Sequence, residues 1–518
     1  MCNISGSKNY SDIRVTKYEV LVTTSGVGSQ LKELYTQSNL HLNMKIMLIW
    51  DEEKDLMKLL FDRLEGAGHE ITYWVGTHST AEISPGSAIF HDHYDAWDAK
   101  PAEALADTKI SPPSATFIAS HYDTESFVMT MMNKHYDAAP VDERKHIYYT
   151  MLAYWNYVLD TQKPEAVIIG SVPHSIYGYI VYDIARKRGI KTICFDYSWV
   201  GNRLIPYHDI FRGNEALQAA LLRMEGMKLS ADDLGEELRE YWLNQTKESS
   251  EKPPIYMVAD DRDRAEGLGL WRHRFKIAQR ALRSGRFPSL VWNYVKRIGK
   301  DNLKKAYARC AREADWETPF VYYPLSMQPE MATSPMGGVF HDQILVAETL
   351  AAALPEGWEL YVKEHPVQFW LRGKERYSCV RYPGYYERLA RIPRTRLVDY
   401  NTNSFELIER ASAVATITGT AGWEALLRGK CPLVFGFPSF RDCPGIFHVD
   451  SVESCERAFK EIQNGAKTPR EDVLRYLKAY EENSIPGKLV KTIAVVPQHT
   501  IQPDMEAVAS YLCKESAS

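Results

Sequence analysis

At 518 residues the chain exceeds what one hydrophobic core ordinarily serves, so two domains are expected. With 45% hydrophobic and 25% charged residues and a net charge of −5, the composition is that of a globular protein and excludes disorder on a large scale. Its eight cysteines are scattered, without C-x-x-C or His pairing at metal spacing, which argues against a disulfide framework and against a zinc site.

Residues 1–43 are polar and weakly patterned and read as an N-terminal extension. They lack the charged-then-apolar layout of a signal peptide, and no run of 18 or more apolar residues follows, so a cytoplasmic protein is expected. From Met44, "MKIMLIWDEEKDLMKLLFDRLEGAGHEITYWVG" reads as strand, amphipathic helix, glycine corner and strand. The alternation continues with "SATFIASHYD" as strand and loop, 140–161 as a helix, "EAVIIGS" as a strand, "YGYIVYDIARKRG" as a helix and "IKTICFDY" as a strand. Strands separated by helices imply a parallel sheet covered on both faces, a Rossmann-like domain over 44–250.

Residues 251–316 form a basic linker or insertion. Between Arg262 and Arg312 there are 15 Lys/Arg against three acidic residues, a net of +12 that leaves −17 for everything else. Trp, Phe and Leu are interleaved with this charge, giving two basic amphipathic helices broken near Pro288. Such helices suit an anionic membrane surface; the plainer alternative is a solvated helical pair packed between domains. No stacking platform or groove-reading module accompanies the charge, so nucleic acid is not expected as a partner.

Strand and helix signals alternate again over 317–468, starting at "TPFVYYPLSMQPE" and running through a helix at 341–353, "WELYVKEHP", a short helix near 384–391, "TRLVDY", a helix from Ser404 to Ala411, "AVATITG" and "CPLVFG". This is a second Rossmann-like domain, followed by helices over 469–518. Two such domains facing across a cleft describe the GT-B architecture, with ligands at the carboxyl ends of the strands.

Three features fall at those carboxyl ends. Lys363-Glu364-His365-Pro366 brings a lysine and a histidine to a strand end, where they can neutralise phosphate. The corner Thr418-Gly419-Thr420-Ala421-Gly422 lets backbone N–H groups approach an anion at a helix start, and Glu424 in the first turn is placed to accept from ribose hydroxyls. The loop "PLSMQPEMATSPMGG" presents Gln328, Glu330, Thr333 and Ser334, and a carboxylate there serves as base, nucleophile or anchor. Each feature taken alone also reads as an ordinary turn, cap or surface loop.

Taken together, Phe320–Phe447 resembles the capsule polysaccharide biosynthesis proteins, which include bacterial β-Kdo transferases. Lys363-Glu364-His365-Pro366 is similar to their K-x-H-P element, and "TGTAGWEALLRGKCPLVFG" to their S/T-x-x-G-x-E-A-L-x-x-G-x-P-V-x-x-G element. The resemblance implies a metal-independent GT-B glycosyltransferase that needs no cofactor and moves a sugar from a nucleotide-sugar donor, CMP-activated in the Kdo enzymes, to a glycan or glycolipid acceptor. Lys363, His365, Ser404, Thr418, Gly419, Thr420, Gly422, Glu424 and Gln328 would hold the nucleotide sugar, and Glu330 and His365 would act in catalysis, with His174, which lies outside the resembling segment, added from its own position at a strand end. The family carries an aspartate several residues after its loop glutamine, and here Gln328-Pro329-Glu330 departs from that pattern, so Glu330 stands as the candidate replacement.

On the acceptor side, His174 in "GSVPHSIYGY" is the favoured base, with His121, Asp123, Asp51 and Glu52 also at strand ends. A CDP-alditol phosphotransferase of teichoic-acid type, a sugar-nucleotide 2-epimerase and a non-catalytic assembly partner share enough of these features to remain open. A protein peripheral at the inner face of the cell membrane is compatible with the basic tract.

Overall fold

The computed structural model describes residues 43–246 except 199 and 202, then 303–369, 380–487 and 501–515. The expectations for 1–42 and for most of the basic tract, 247–302, lie outside the described residues. Strands and the longer helices are numbered here in chain order; shorter helices are given by range.

The first domain opens with β1 (Lys45–Ile49), α1 (Lys54–Gly66), β2 (Glu70–Gly76) and β3 (Ile89–Asp92). It continues through α2 (Tyr122–Met131), α3 (Val141–Gln162), β4 (Ala166–Ile169), α4 (Ile176–Lys187), β5 (Lys191–Ser198) and β6 (Arg203–Tyr207), and closes with α5 (Glu215–Arg223) and α6 (Glu236–Gln245). Helix α1 buries Leu56, Met57, Leu60, Phe61 and Leu64, the spacing of a single apolar stripe. β1, β2 and β4 are nearly all apolar, because helices cover the sheet on both faces.

The second domain consists of α7 (Leu303–Cys310), β7 (Phe320–Pro324), α8 (Gln343–Ala353), β8 (Glu359–Lys363), α9 (Tyr385–Ala390), β9 (Thr395–Leu397), α10 (Ser404–Arg410), β10 (Ala413–Thr416), α11 (Thr420–Leu427), β11 (Leu433–Val434), β12 (Phe447–His448) and α12 (Val452–Gln463). Its six-stranded sheet, β12-β11-β10-β7-β8-β9, pairs in parallel throughout. Two Rossmann-like domains in this order give the GT-B architecture.

The chain then returns. Helix α13 (Arg470–Asn483) leads to β13 (Ile485–Pro486), which pairs antiparallel with β6, and α14 (Ile501–Glu515) buries Met505, Val508, Ala509 and Leu512 in the cluster that contains α1. The first sheet is therefore seven-stranded, β13-β6-β5-β4-β1-β2-β3, with an antiparallel edge on a parallel core. Arg203 clamps the return: its guanidinium donates to Ser484 Oγ at 2.7 Å and to the carbonyls of Glu481 and Ser484.

The stretch 114–123, expected as strand and loop, is helical. Ser114 accepts from Phe117 N–H at 3.2 Å and caps a short helix, Ala115–Ala119, and α2 begins at Tyr122. The local cap outweighs the β preference of the Thr-Phe-Ile run, which is nowhere buried enough to belong to a sheet. The carboxyl end of the basic tract is α7, docked on the second sheet by Leu303, Ala306 and Tyr307. Among the described residues no helix is long and apolar enough to cross a membrane.

Trp423, in α11, joins the two domains. It is 3% exposed, donates Nε1–H to the Tyr241 hydroxyl of α6 at 2.8 Å, and packs on Phe440 and on Tyr476 of α13. Replacing Trp423 with Ala is expected to cost roughly 3–5 kcal/mol through the cavity it leaves. Trp423→Phe, which loses mainly the indole hydrogen bond, should cost about 1 kcal/mol, and urea denaturation of both variants checks the ordering.

Candidate active site

The carboxyl ends of β7, β8 and β10 assemble the second domain's half of the site. Lys363 closes β8 and is 4% exposed; its ammonium donates to Thr402 O at 2.5 Å and to Ser404 Oγ at 2.7 Å. Burial pulls its pKa down to about 8, opposed by Asp399. The Tyr322 hydroxyl approaches the same Ser404 Oγ at 3.5 Å. Lys363 and Ser404, separated by 41 positions, thus meet at the start of α10.

Helix α11 starts beside them. Gly419 is its N-cap and offers no side chain, so the first N–H groups of the helix have no side-chain partner there. Thr420 bonds the Glu424 side chain, and burial pushes the Glu424 carboxyl up to about 7, with Arg428 opposing. The Glu424 charge acts on Tyr322, and the Arg428 guanidinium lies 5.5 Å from the Phe405 ring of α10. Lys363, Ser404, Thr420 and Glu424 therefore form one constellation.

The other corner residues do different work. Thr418 donates its hydroxyl to Ala332 O at 2.8 Å, tying the corner to the loop after β7. Gly419 N–H donates to Thr416 Oγ1 at 2.9 Å. Gly422 is buried, and a Cβ on it would come within 2.9 Å of Thr416 Cγ2 and 3.0 Å of Phe440, so its smallness serves packing beneath the corner.

His365 is half-buried and its N–H donates to the Glu364 carboxylate at 2.8 Å. Glu364 itself is fully buried and paired with Arg381, also fully buried, at 2.7 Å; the Tyr386 hydroxyl donates to the same carboxylate at 2.6 Å. Arg381 further donates to Ser326 O and, at 2.6 Å, to Gln328 Oε1. The rest of the Gln328 side chain is engaged too: Oε1 accepts from Gln343 and Nε2 donates to His341 O. Gln328 lines the cleft, but its amide organises the loop.

Glu330 projects from this loop into the space between the domains. Its carboxylate pairs at 3.1 Å with Lys134, which ends the 3-10 turn after α2 in the first domain. A second tie joins Thr130 and Ser334 hydroxyls at 2.7 Å. Thr333 is buried and its hydroxyl donates to Glu330 O. Together these residues wall a cleft of about 240 Å³.

The first domain contributes its own strand ends. His174 follows β4, and its Nδ1 lies 2.7 Å from Val172 O; a carbonyl only accepts, so Nδ1 carries the proton and Nε2 keeps its lone pair. Burial, the Lys134 charge and His93 push its pKa down to about 4, so the ring is neutral near pH 7. His93, after β3, meets the Tyr177 hydroxyl at 2.6 Å.

Of the other acceptor-side candidates, Asp51 stays near this group, its charge acting on His93 and Tyr177, and the rest lie elsewhere. His121 is 4% exposed, sits at the start of α2 with Nδ1 against Phe117 O, and faces Asp183 of α4 at 4.0 Å. Asp123 is exposed in the first turn of α2. Asp51 accepts from Thr77 N–H and hydroxyl, holding the turn after β2, and Glu52 is buried. Lys134, Arg381 and Tyr322 carried no sequence signal: each is a lone residue in an apolar or mixed context, and only the fold brings it to its partner. Among the described residues no group of three or more His, Cys, Asp or Glu is placed to hold a metal ion.

Residues 294–464 match the family model described as capsule polysaccharide biosynthesis protein. Over that segment the chain is similar to the capsule polysaccharide biosynthesis proteins. The matched segment holds Lys363, His365, Ser404, Glu330 and the 418–424 corner. No curated protein matches the chain. Among solved structures it is similar to the Thermosulfurimonas dismutans KpsC β-Kdo 2,7 transferase, at 10% identity over 70% of this chain and 88% of that one, with a TM-score of 0.29. The KpsC β-Kdo 2,4 transferase from the same organism matches at 13% identity over 61% and 87%, with a TM-score of 0.26. A UDP-GlcNAc 2-epimerase from Neisseria meningitidis matches at 11% over 91% and 100%, with a TM-score of 0.25. Likeness at these scores bears on neither substrate nor residue roles.

Glu364→Gln would leave Arg381 charged, buried and half-satisfied, and is expected to cost roughly 3–5 kcal/mol in urea denaturation. Replacing both partners, Glu364→Gln with Arg381→Met, should recover part of that loss.

Proposed function

We propose that the chain is a glycosyltransferase that moves a sugar from a nucleotide-sugar donor to a surface polysaccharide or glycolipid acceptor. The observation that carries this reading is the meeting of Lys363, Ser404, Glu424 and the uncapped start of α11 at one end of the second sheet. A buried ammonium and open helix N–H groups suit phosphate, and a carboxylate one helical turn on suits ribose hydroxyls. The match of residues 294–464 to the capsule polysaccharide biosynthesis family model supports it.

The chemistry follows from what faces this constellation. As the acceptor hydroxyl attacks the anomeric carbon, the bond from that carbon to the phosphate oxygen breaks and the electron pair leaves with the nucleotide. Lys363 and the α11 N–H groups take up the developing charge, the role that preorganised donors fill in such sites. Glu330, steadied by Lys134, accepts the proton of the incoming hydroxyl. His174, neutral and with Nε2 available, accepts a hydrogen bond from an acceptor hydroxyl rather than serving as a strong base.

Glu330→Gln is expected to cut turnover by roughly 10²–10⁴-fold while nucleotide affinity stays unchanged. Equal loss of both would remove Glu330 from the chemical step. Nucleotide binding should also depend on pH in a bell shape. It rises through about 7 as Glu424 ionises and becomes an acceptor for ribose, and falls above about 8 as Lys363 loses its proton. Calorimetric titration of CMP, CDP and UDP between pH 6 and 9 reads this profile. Glu424→Gln should flatten the acid limb and leave the alkaline limb in place.

A further inference from the structure

The cleft between the domains differs in character from the phosphate-facing constellation. Among the described residues that line it, Lys134 is the one Lys or Arg, and its ammonium is already paired with Glu330 at 3.1 Å. Asp342 at the rim adds a carboxylate. Its Oδ1 accepts from Ile344 and Leu345 N–H as the cap of α8. Arg381 lies behind the wall, neutralised by Glu364 within the fully buried pair. The described part of the lining therefore sums to a negative charge, and there an anionic ligand would have to displace Glu330 from Lys134 and then sit beside two carboxylates.

The remaining groups suit hydroxyls. Asn133 accepts from Arg144 through Oδ1 at 2.8 Å, which leaves its amide N–H₂ as the donor side. His341 points Nδ1 at Gly338 O at 3.2 Å, so Nδ1 bears the proton and Nε2 is an acceptor. The Tyr382 ring is 38% exposed and held edge-on by Tyr385 at 5.5 Å, an apolar face at the mouth of the cleft. At about 240 Å³ the space is below the usual range for drug-sized ligands and fits a single small unit.

We infer that this cleft is a subsite for one uncharged sugar unit, a neutral hexose or its N-acetyl derivative, and that the Lys134–Glu330 pair excludes sugar carboxylates from it. The inference rests on the transferase reading for the ligand being a sugar. The charge selectivity rests on the cleft alone.

The test compares methyl hexosides with the matching methyl hexuronides, titrated by saturation-transfer NMR into the full chain with and without nucleotide. The wild type should bind the hexoside at least about tenfold more tightly than the hexuronide. Glu330→Gln, nearly isosteric at a partly exposed position, removes one of the two carboxylate charges on the cleft and should raise hexuronide affinity about tenfold while changing hexoside affinity less than about threefold. Asp342→Asn, which keeps helix capping, should raise hexuronide affinity about threefold. Equal or tighter hexuronide binding by the wild type, no gain in Glu330→Gln, or no binding of either sugar at millimolar concentration overturns the inference.

Nucleotide binding without sugar discrimination would sink the subsite and spare the transferase reading; discrimination without nucleotide binding would do the reverse. If a nucleotide-hexose displaces the methyl hexoside where the bare nucleotide does not, the unit in the cleft is the donor's sugar. If neither displaces it, the unit belongs to the acceptor, and the charge selectivity stands in both cases.

Discussion

The Glu364–Arg381 pair is the interaction on which the second half of the molecule depends. Both side chains are fully buried, and between them they bind the end of β8, the loop after β7 and the start of α9. An arginine presents five donors in a fixed fork, so one side chain can satisfy the Glu364 carboxylate, Ser326 O and Gln328 Oε1 at once. That geometry leaves little freedom for the residues on either side of Glu364. Lys363 is directed to Ser404 and His365 is held by its own N–H to the same carboxylate. A well-packed apolar replacement could match the pair in stability but would not specify these directions, which is the reason to expect ions there at all.

The domains are held to one another by contacts of several kinds. Trp423 packs into the seam beside α6 and α13. Arg441, 6% exposed, donates to Ile210 O at 2.6 Å and lies over the Tyr207 ring. Lys134 and Glu330 meet at the cleft itself, where both are more accessible. Buried aromatic and arginine contacts set the seam, and the polar contacts nearer solvent are the ones that cost least to open.

Much of this order was legible before any coordinates, and the reason is periodicity. β7, β8 and β10 are continuous apolar runs bounded by charged or glycine-rich turns, and such runs between amphipathic helices can only be parallel strands. Once they are strands in one sheet, Lys363, Ser404 and Glu424 must fall at the same end. β12 and β13 were not legible, since Phe447-His448 and Ile485-Pro486 lie in short mixed stretches, whereas the equally short β11 sits inside the apolar run "CPLVFG", and β6 contains Pro206. The helix at 115–119 was missed because its Thr-Phe-Ile run reads as a strand and only the Ser114 cap points to a helix. Arg381 could not be found at all: in sequence it looks like a surface residue, and its partner lies 17 positions away on another element.

The two sides of the site carry opposite electrostatic tasks, and the fold separates them. In the proposed reaction a departing phosphate needs concentrated positive potential, and Lys363 and the start of α11 on the second domain are the groups proposed to supply it. In the proposed reaction a sugar approached by a hydroxyl nucleophile needs an accepting carboxylate, and Glu330, on a different loop and paired with a lysine of the other domain, is the group proposed for it. If both charges stood on one element they would pair with each other and neither would reach the substrate. Placing the lysine of the Glu330 pair on the opposite domain also means that the carboxylate is set only when the domains are together.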